Sequence, residues 1–376
     1  MKILQLTAHF RPNIGGVETH LDDLCKALAE KGFKVTVLTY RPLQTKTGWK
    51  IIEREKNIEI IRLPWISNLF YKLVKSPFLE FLYLLPGLFF WSPFVILLKK
   101  IDVIHSHGLV AGFVGVFWGK IFNKRTVVSI HSIYHFPKKG LYRDFVGWIF
   151  KNADYCLGLS KQSAEEIRSL GIPAKKVDNF TYWIDLHKFK VQNSKLKIKK
   201  QLGWEYKFTV LFVGRLVEGK GVEELLESVR KWHRAIDLKI IGAGPLEDMV
   251  KKAAEKNKNL EFIGTIDQNR LPLYYSVADL LIVPSTSEEG FGRVILESLA
   301  CGTPILGAKK GAIPEAMNET VGRFLEVSPL NIKNKVEYFF NNKNILKKLS
   351  QNARKFAERR YSENNAEKII NTYKAG

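Results

Sequence analysis

Residues 280–308 read LLIVPSTSEEGFGRVILESLACGTPILGA, and this stretch sets the architecture of the chain. A short apolar run, LLIVPS, passes through a polar loop into VILESLA, whose apolar positions recur at helical spacing. A second apolar run, TPILGA, follows at once. Strand, helix, strand in about thirty residues is the unit of a parallel sheet with crossover helices. Gly290 and Gly292 fall where the loop becomes the helix, so backbone N–H groups at the positive helix end are placed to hold phosphate. Glu289 lies in the loop, and Glu297, eight residues on, lies two turns into the helix. A surface role for both glutamates would explain neither the glycines nor the apolar run between them.

The same rhythm runs outward in both directions. Upstream, FTVLFVG, LKIIGAG and LEFIG are strand candidates, and the first half adds KILQLT, KVTVLTY, IEIIRL, IDVIHSH, TVVSIH and YCLGLS, with a helix near residues 16–31. Alternation of this kind predicts two doubly wound domains with a cleft between them, and open α/β sheets take ligands at the carboxyl ends of their strands. At 376 residues with 46% hydrophobic content the chain can fill two cores. The lysine-rich, strandless stretch Lys188–Lys200 reads as the linker, giving domains 1–188 and 189–362. The amphipathic end, 363–376, is expected to return to the first domain.

Composition narrows the chemistry. The three cysteines are far apart without metal-ligand spacing, which supports neither a disulfide framework nor a zinc site and fits a reducing cytoplasm. KILQLTAHF lacks the features of a signal peptide. The formal charge of +22 is spread: residues 1–188 carry 27 Lys and Arg against 15 Asp and Glu, so neither half owns the excess. No nucleic-acid reader motif accompanies it, which argues against nucleic acid as partner. Phe81–Leu98 is uncharged for 18 residues, at the lower limit for a membrane span. Pro86, Gly87 and Pro93 interrupt it, and strand-like segments of one sheet lie on both sides. A broken pair of helices is therefore expected, either buried or dipping into an anionic membrane interface, with Lys72, Lys75, Lys99 and Lys100 at its flanks.

Candidate binding groups cluster at strand ends. FTVLFVG finishes in Gly214 and Arg215, and Lys220 follows in RLVEGKG before a helical pattern, so two cations are placed to grip a diphosphate. In IGAGP, Gly242 and Gly244 allow a tight turn, a weak signal alone. NIGGVETH sets Gly15 and Gly16 between a strand and a helix. His105 and His107 project the same way from one strand, and His131 ends the next. Ser160 reads as a helix cap.

The string EGFGRVILE with ACGTPILG, preceded in order by FVGRL, GKG and IGAGP, resembles the retaining glycosyltransferases of family four. These are the group 1 enzymes of the glycogen synthase and phosphatidylinositol mannosyltransferase kind, with the GT-B fold. The resemblance spans essentially the whole chain and is most specific over residues 208–315. It implies an acceptor-binding first domain and a second domain that binds the nucleotide sugar. Arg215 and Lys220 would hold the diphosphate of a UDP- or GDP-linked donor, and Glu297 the ribose. Glu289 and the backbone of Phe291, Gly292 and Arg293 would meet the sugar and phosphates, His131 would lie near the donor sugar, and Gly15 and Gly16 would approach donor phosphate or acceptor. Gly214, Gly242 and Gly244 would shape the nucleotide pocket, and Glu315 matches a position of structural role.

No cofactor or metal is expected. The cations and a helix N-terminus can meet the diphosphate charge, and the chain has no Asp-x-Asp sequence. Retention of configuration follows from the resemblance alone, and a same-face internal return fits the lack of a convincing nucleophile. The expected activity is transfer of a hexosyl unit to a membrane lipid or lipid-linked glycan, by an enzyme peripheral to the cytoplasmic face of the membrane. A soluble sugar or sugar-phosphate acceptor, epimerisation of the nucleotide sugar, and non-catalytic binding of a sugar nucleotide or nucleic acid stay open at this level.

Overall fold

The computed structural model describes residues 1–13, 15–43, 48–66, 73, 76–190 and 194–374. The chain divides into two compact units, Met1–Tyr182 with Glu363–Gly376, and Trp183–Ser362.

The first unit runs β1 (Lys2–Thr7), α1 (Gly16–Glu30), β2 (Lys34–Tyr40), β3 (Ile52–Glu55), β4 (Ile58–Leu63), α2 (Pro77–Lys99), β5 (Val103–His107), α3 (Leu109–Ile121), β6 (Arg125–Ile130), α4 (Leu141–Asn152), β7 (Tyr155–Gly158), α5 (Lys161–Ser169) and β8 (Val177–Asn179). Its sheet is ordered β3-β4-β2-β1-β5-β6-β7-β8 and is parallel except for β3. Order reverses between β1 and β5, where Leu6 stands opposite Ser106 and Thr7 opposite His107. Polypeptide on either side of such a reversal diverges beyond the strand ends and leaves a crevice for ligands.

The second unit runs α6 (Lys195–Gln201), β9 (Phe208–Val213), α7 (Val222–Val229), β10 (Ile236–Ile241), α8 (Glu247–Lys256), β11 (Leu260–Gly264), α9 (Leu271–Val277), β12 (Leu280–Val283), α10 (Arg293–Ala300), β13 (Ile305–Ala308), α11 (Ile313–Ala316), β14 (Gly322–Leu325), α12 (Pro329–Asn341) and α13 (Lys343–Arg360). The six strands are parallel in the order β11-β10-β9-β12-β13-β14, with the reversal between β9 and β12. Its core packs Val210, Leu238, Leu280 and Leu306 against Leu225 and Val229 of α7 and Val336 and Phe339 of α12. Every strand foreseen from sequence is present. The charged edge strand β3, three-residue β8 and β14 escaped notice because none carries a long apolar run.

The last helix, α14 (Asn365–Lys374), belongs to the first unit. Arg125 Nε donates to the Thr372 carbonyl at 2.7 Å, and Tyr373 is buried against β1 and β5. Two sequence expectations need correction. The division of the chain falls at Tyr182/Trp183, six residues before the expected boundary, and most of the presumed linker is part of the second unit. Phe189 is buried there, and Lys199 of α6 bonds Asp279 at 2.7 Å, so lysine content there marks a paired helix. Residues 191–193 lie outside the described residues, as do Lys72 and Lys75.

The apolar run forms one helix, α2, through both prolines. Each proline removes an N–H and pushes away the carbonyl four residues back, and aromatic side chains from neighbouring elements bond the helix backbone around both. The Tyr40 hydroxyl enters the ladder, donating to the Leu84 carbonyl at 2.5 Å and accepting from the Leu88 N–H at 3.0 Å. Trp65 Nε1 donates to the Tyr83 carbonyl at 3.0 Å, and Trp118 Nε1 donates to the Phe89 carbonyl, the acceptor orphaned by Pro93, at 2.9 Å. Gly87 is required for this: a Cβ there would lie 2.5 Å from the Tyr40 ring. Burial pushes the Tyr40 phenol well up, so it remains a donor. The structure thus supplies from a neighbouring element the bond that Pro93 removes, and Tyr40 and Trp65 tie the backbone on either side of Pro86 to the rest of the unit.

Candidate active site

In the second unit the groups singled out from sequence gather at the carboxyl ends of β9 and β12, on both sides of the strand-order reversal. Two loops are sewn together there. The Gly219 carbonyl accepts from the Thr286 N–H at 2.9 Å, the Ser287 N–H at 3.1 Å and the Ser287 hydroxyl at 3.0 Å. Gly221, with φ +71°, packs so tightly that a Cβ would sit 1.8 Å from the Pro284 carbonyl oxygen, which accounts for the second glycine of GKG. The stitching brings Lys220 onto the Glu289 carboxylate as a partly buried ion pair, and the Ser285 hydroxyl donates to the same oxygen at 2.7 Å. Arg215 is exposed beside them and makes no side-chain hydrogen bond or ion pair among the described residues, so its charge is uncommitted.

Gly292 precedes α10 in the left-handed region, φ +72°. Its neighbours are more buried than the sequence suggested. Phe291 packs edge-on against Tyr361 at 6.1 Å. Arg293 lies along its own helix, Nε donating to Glu297 Oε1 at 3.1 Å and its terminal nitrogen to the Trp183 carbonyl at 3.3 Å. The Tyr275 hydroxyl donates to Glu297 Oε2 at 2.9 Å. Glu297 is 4% exposed. Burial raises its carboxyl above the ordinary range, against the lowering pull of Arg293 and Tyr275. Each carboxylate oxygen keeps a lone-pair site beyond its protein donor. Gly242 and Gly244 are explained by close approach within the fold, since a Cβ on either would meet the carbonyl of Gly214 at 1.9 Å or of Leu216 at 2.4 Å. This close approach holds the Gly214–Leu216 turn, and with it Arg215, in place.

In the first unit, Gly15 adopts extended backbone and its carbonyl accepts from the Thr19 N–H at 3.1 Å, while Gly16 begins α1. Three histidines form a buried relay at the carboxyl ends of β5 and β6. Gln5 Nε2 donates to the Tyr373 hydroxyl at 3.3 Å, which leaves Gln5 Oε1 to accept from His107 Nε2 at 2.6 Å. His107 Nδ1 then accepts from His131 Nε2 at 3.0 Å, and His131 Nδ1 accepts from the Tyr182 hydroxyl at 3.1 Å. His105 is held between Tyr373 and Ser129, each at 2.6 Å. Burial drives His105 and His131 down to about 3 and His107 well below its usual value, so all three are neutral near pH 7. Both ring nitrogens of His131 are thus engaged within the first unit. Sequence reasoning found the histidines and missed Gln5, Tyr182, Tyr275, Ser285 and Tyr373. Only Gln5, a polar residue inside the apolar strand KILQLT, carried a legible signal. Ser160 caps α5, accepting from the Ser163 N–H at 3.0 Å as expected of a structural serine.

Two family models match the chain in succession, Glycosyltransferase Family 4 over residues 14–187 and Glycosyl transferases group 1 over residues 194–356. The chain belongs to the group 1 glycosyltransferases of family four. An uncharacterized glycosyltransferase of Methanocaldococcus jannaschii is 27% identical, covering 100% of this chain and 98% of that protein. The gpi3 subunit of phosphatidylinositol N-acetylglucosaminyltransferase from Schizosaccharomyces pombe is 21% identical over 84% of this chain and 67% of its own. Among solved structures, sucrose-phosphate synthase of Thermosynechococcus elongatus superposes with a TM-score of 0.83 at 22% identity, covering 99% and 98% of the two chains. Anabaena HepE in complex with UDP gives 0.78 at 20% identity, covering 99% of each. The architecture of this group 1 glycosyltransferase is accordingly GT-B, two Rossmann-like α/β domains. The N-terminal model ends and the C-terminal model begins on either side of residues 188–193, close to the division between the units.

Proposed function

We propose that the chain transfers a hexosyl unit from a UDP- or GDP-linked sugar to a lipid or lipid-linked glycan, with retention of configuration and without a metal ion. The observation that carries this reading is the uncommitted Arg215 beside the Lys220–Glu289 pair, at the strand-order reversal of the second unit. A diphosphate entering there meets a free guanidinium and an ammonium whose carboxylate partner can turn to the sugar. The amides ahead of Gly292 and α10 add partial positive charge. As the bond from the anomeric carbon to the leaving oxygen breaks, its electron pair passes to the diphosphate, and these groups stabilise the developing charge. The acceptor hydroxyl then attacks on the same face, giving its proton to the departing phosphate oxygen. Glu297 is assigned to the ribose, and His131 with the Gly15–Gly16 turn to sugar and acceptor. UDP and UDP-glucose bound by HepE support the donor class.

The lipid acceptor rests on α2. It is long and apolar enough to cross a membrane, yet three aromatic donors fasten it to the first unit and its outer face is bare. We read it as lying on the cytoplasmic face of a membrane. In a thermal-shift panel of UDP-, GDP- and ADP-sugars, one donor at about 100 times its Kd should add about 2.7 kcal/mol of apparent stability. Arg215→Ala should weaken that donor about 10- to 100-fold, the worth of one charge-assisted contact. An unchanged donor affinity in Arg215→Ala refutes the site.

A further inference from the structure

The outer face of α2 is apolar from end to end. Phe78, Leu82, Phe90, Phe94, Leu97 and Leu98 are exposed, Leu98 at 79%, along a helix of about 35 Å. At its last turn the stripe runs into a groove of about 460 Å³. Leu98 forms one wall, and the rest includes Lys2, Lys34, Arg54, Lys56 and Lys99. Glu59 occupies two of these cations, bonding Arg54 at 2.8 Å and pairing with Lys99. Lys34 and Lys56 are exposed and make no side-chain hydrogen bond or ion pair among the described residues. The groove sits at the amino ends of β1, β2 and β4, whereas the histidine relay and Gly15 lie beyond the opposite ends of the sheet.

We propose that this groove binds the phosphate headgroup of an anionic glycerophospholipid, whose acyl chains enter the bilayer beside the Leu98 end of α2. The proposal rests on the membrane reading above and adds a specific lipid class to it. Apolar surface and cations meeting at one edge match a molecule that is anionic at one end and apolar at the other. A soluble anion would leave the stripe bare. Nucleic acid would leave it bare as well, and has no use for a leucine wall.

Flotation with vesicles of phosphatidylcholine alone and of phosphatidylcholine with phosphatidylglycerol separates the possibilities. Lys34→Gln with Lys56→Gln should weaken binding to the anionic vesicles about 25-fold, about fivefold for each cation near the surface. Its binding to neutral vesicles should be unchanged. Phe90→Glu with Phe94→Glu should abolish binding to both. If the lysine variant keeps the full preference for anionic vesicles, the groove is not the headgroup site and the membrane reading survives. If the phenylalanine variant still floats like the parent chain, the membrane reading falls and takes the groove with it. If duplex nucleic acid binds the parent chain and loses more affinity than vesicles do in the lysine variant, the groove belongs to nucleic acid and the proposal is overturned.

Discussion

Replacing Arg293 by Gln tests how the buried Glu297 carboxylate is kept. The guanidinium and Glu297 form a buried pair, their side chains 7% and 6% exposed and 3.1 Å apart. Gln fills most of the space but leaves the Glu297 carboxylate to the Tyr275 hydroxyl among the described residues. Breaking one side of a buried pair costs about 3 to 5 kcal/mol, because the surviving charge stays desolvated. The loss has a pH signature. Burial already raises the Glu297 carboxyl, and removing the cation that opposes this raises it further. The variant therefore escapes part of the cost by taking up a proton, so its deficit should be full at pH 8 and shrink as pH falls toward 5. Glu297→Gln leaves the Arg293 guanidinium as the desolvated charge and should cost about as much, with no relief between pH 8 and 5, because a guanidinium keeps its proton there. Urea unfolding of the full chain at several pH values, with the donor nucleotide absent, gives the numbers. A cost below about 1 kcal/mol for Arg293→Gln, or one that does not change between pH 8 and 5, refutes the argument that the pair is buried and coupled.

Other outcomes follow from the same geometry. Tyr40→Phe removes the hydroxyl threaded between Leu84 and Leu88 and should cost about 2 to 4 kcal/mol, since two buried backbone groups lose a partner. Amide exchange at Leu88 should accelerate, and an unchanged rate means the helix closes its own ladder. Gly221→Ala should disrupt the stitched loops and depress donor binding at least tenfold, because the added methyl meets the Pro284 carbonyl in a backbone region that disfavours alanine. Calorimetric titration with the donor found in the panel is the check. The buried histidines have folded pKa values below the unfolded value of about 6.5. The unfolded chain therefore binds more protons between about pH 6.5 and 3, and stability should drop as pH is lowered through that window, by up to about 1.4 kcal/mol per pH unit for each histidine. Gln5→Leu, which takes the acceptor from His107, should alter the pH dependence of kcat while leaving KM for the donor within about twofold.

The sequence by itself determined the two α/β units, the strand ends that carry Gly214–Arg215 and Glu289, and the group 1 family. These are local facts: apolar runs of strand length, helical spacing between them, and glycines where backbone must turn or approach closely. Tertiary structure decided how those residues are used. Lys220 and Glu289 lie 69 residues apart, and only the packing of two loops makes them partners. Glu297 reads as a charge two turns into a helix, but Arg293 and Tyr275 make it a buried one. The prolines of α2 predicted a break because a sequence window contains no donor to replace the lost bonds. Trp118 replaces the one lost at Pro93, and Tyr40 and Trp65 fasten the backbone near Pro86, all from distant segments. A hydrogen bond needs two groups in one place, and which distant groups share a place is fixed by how the elements pack.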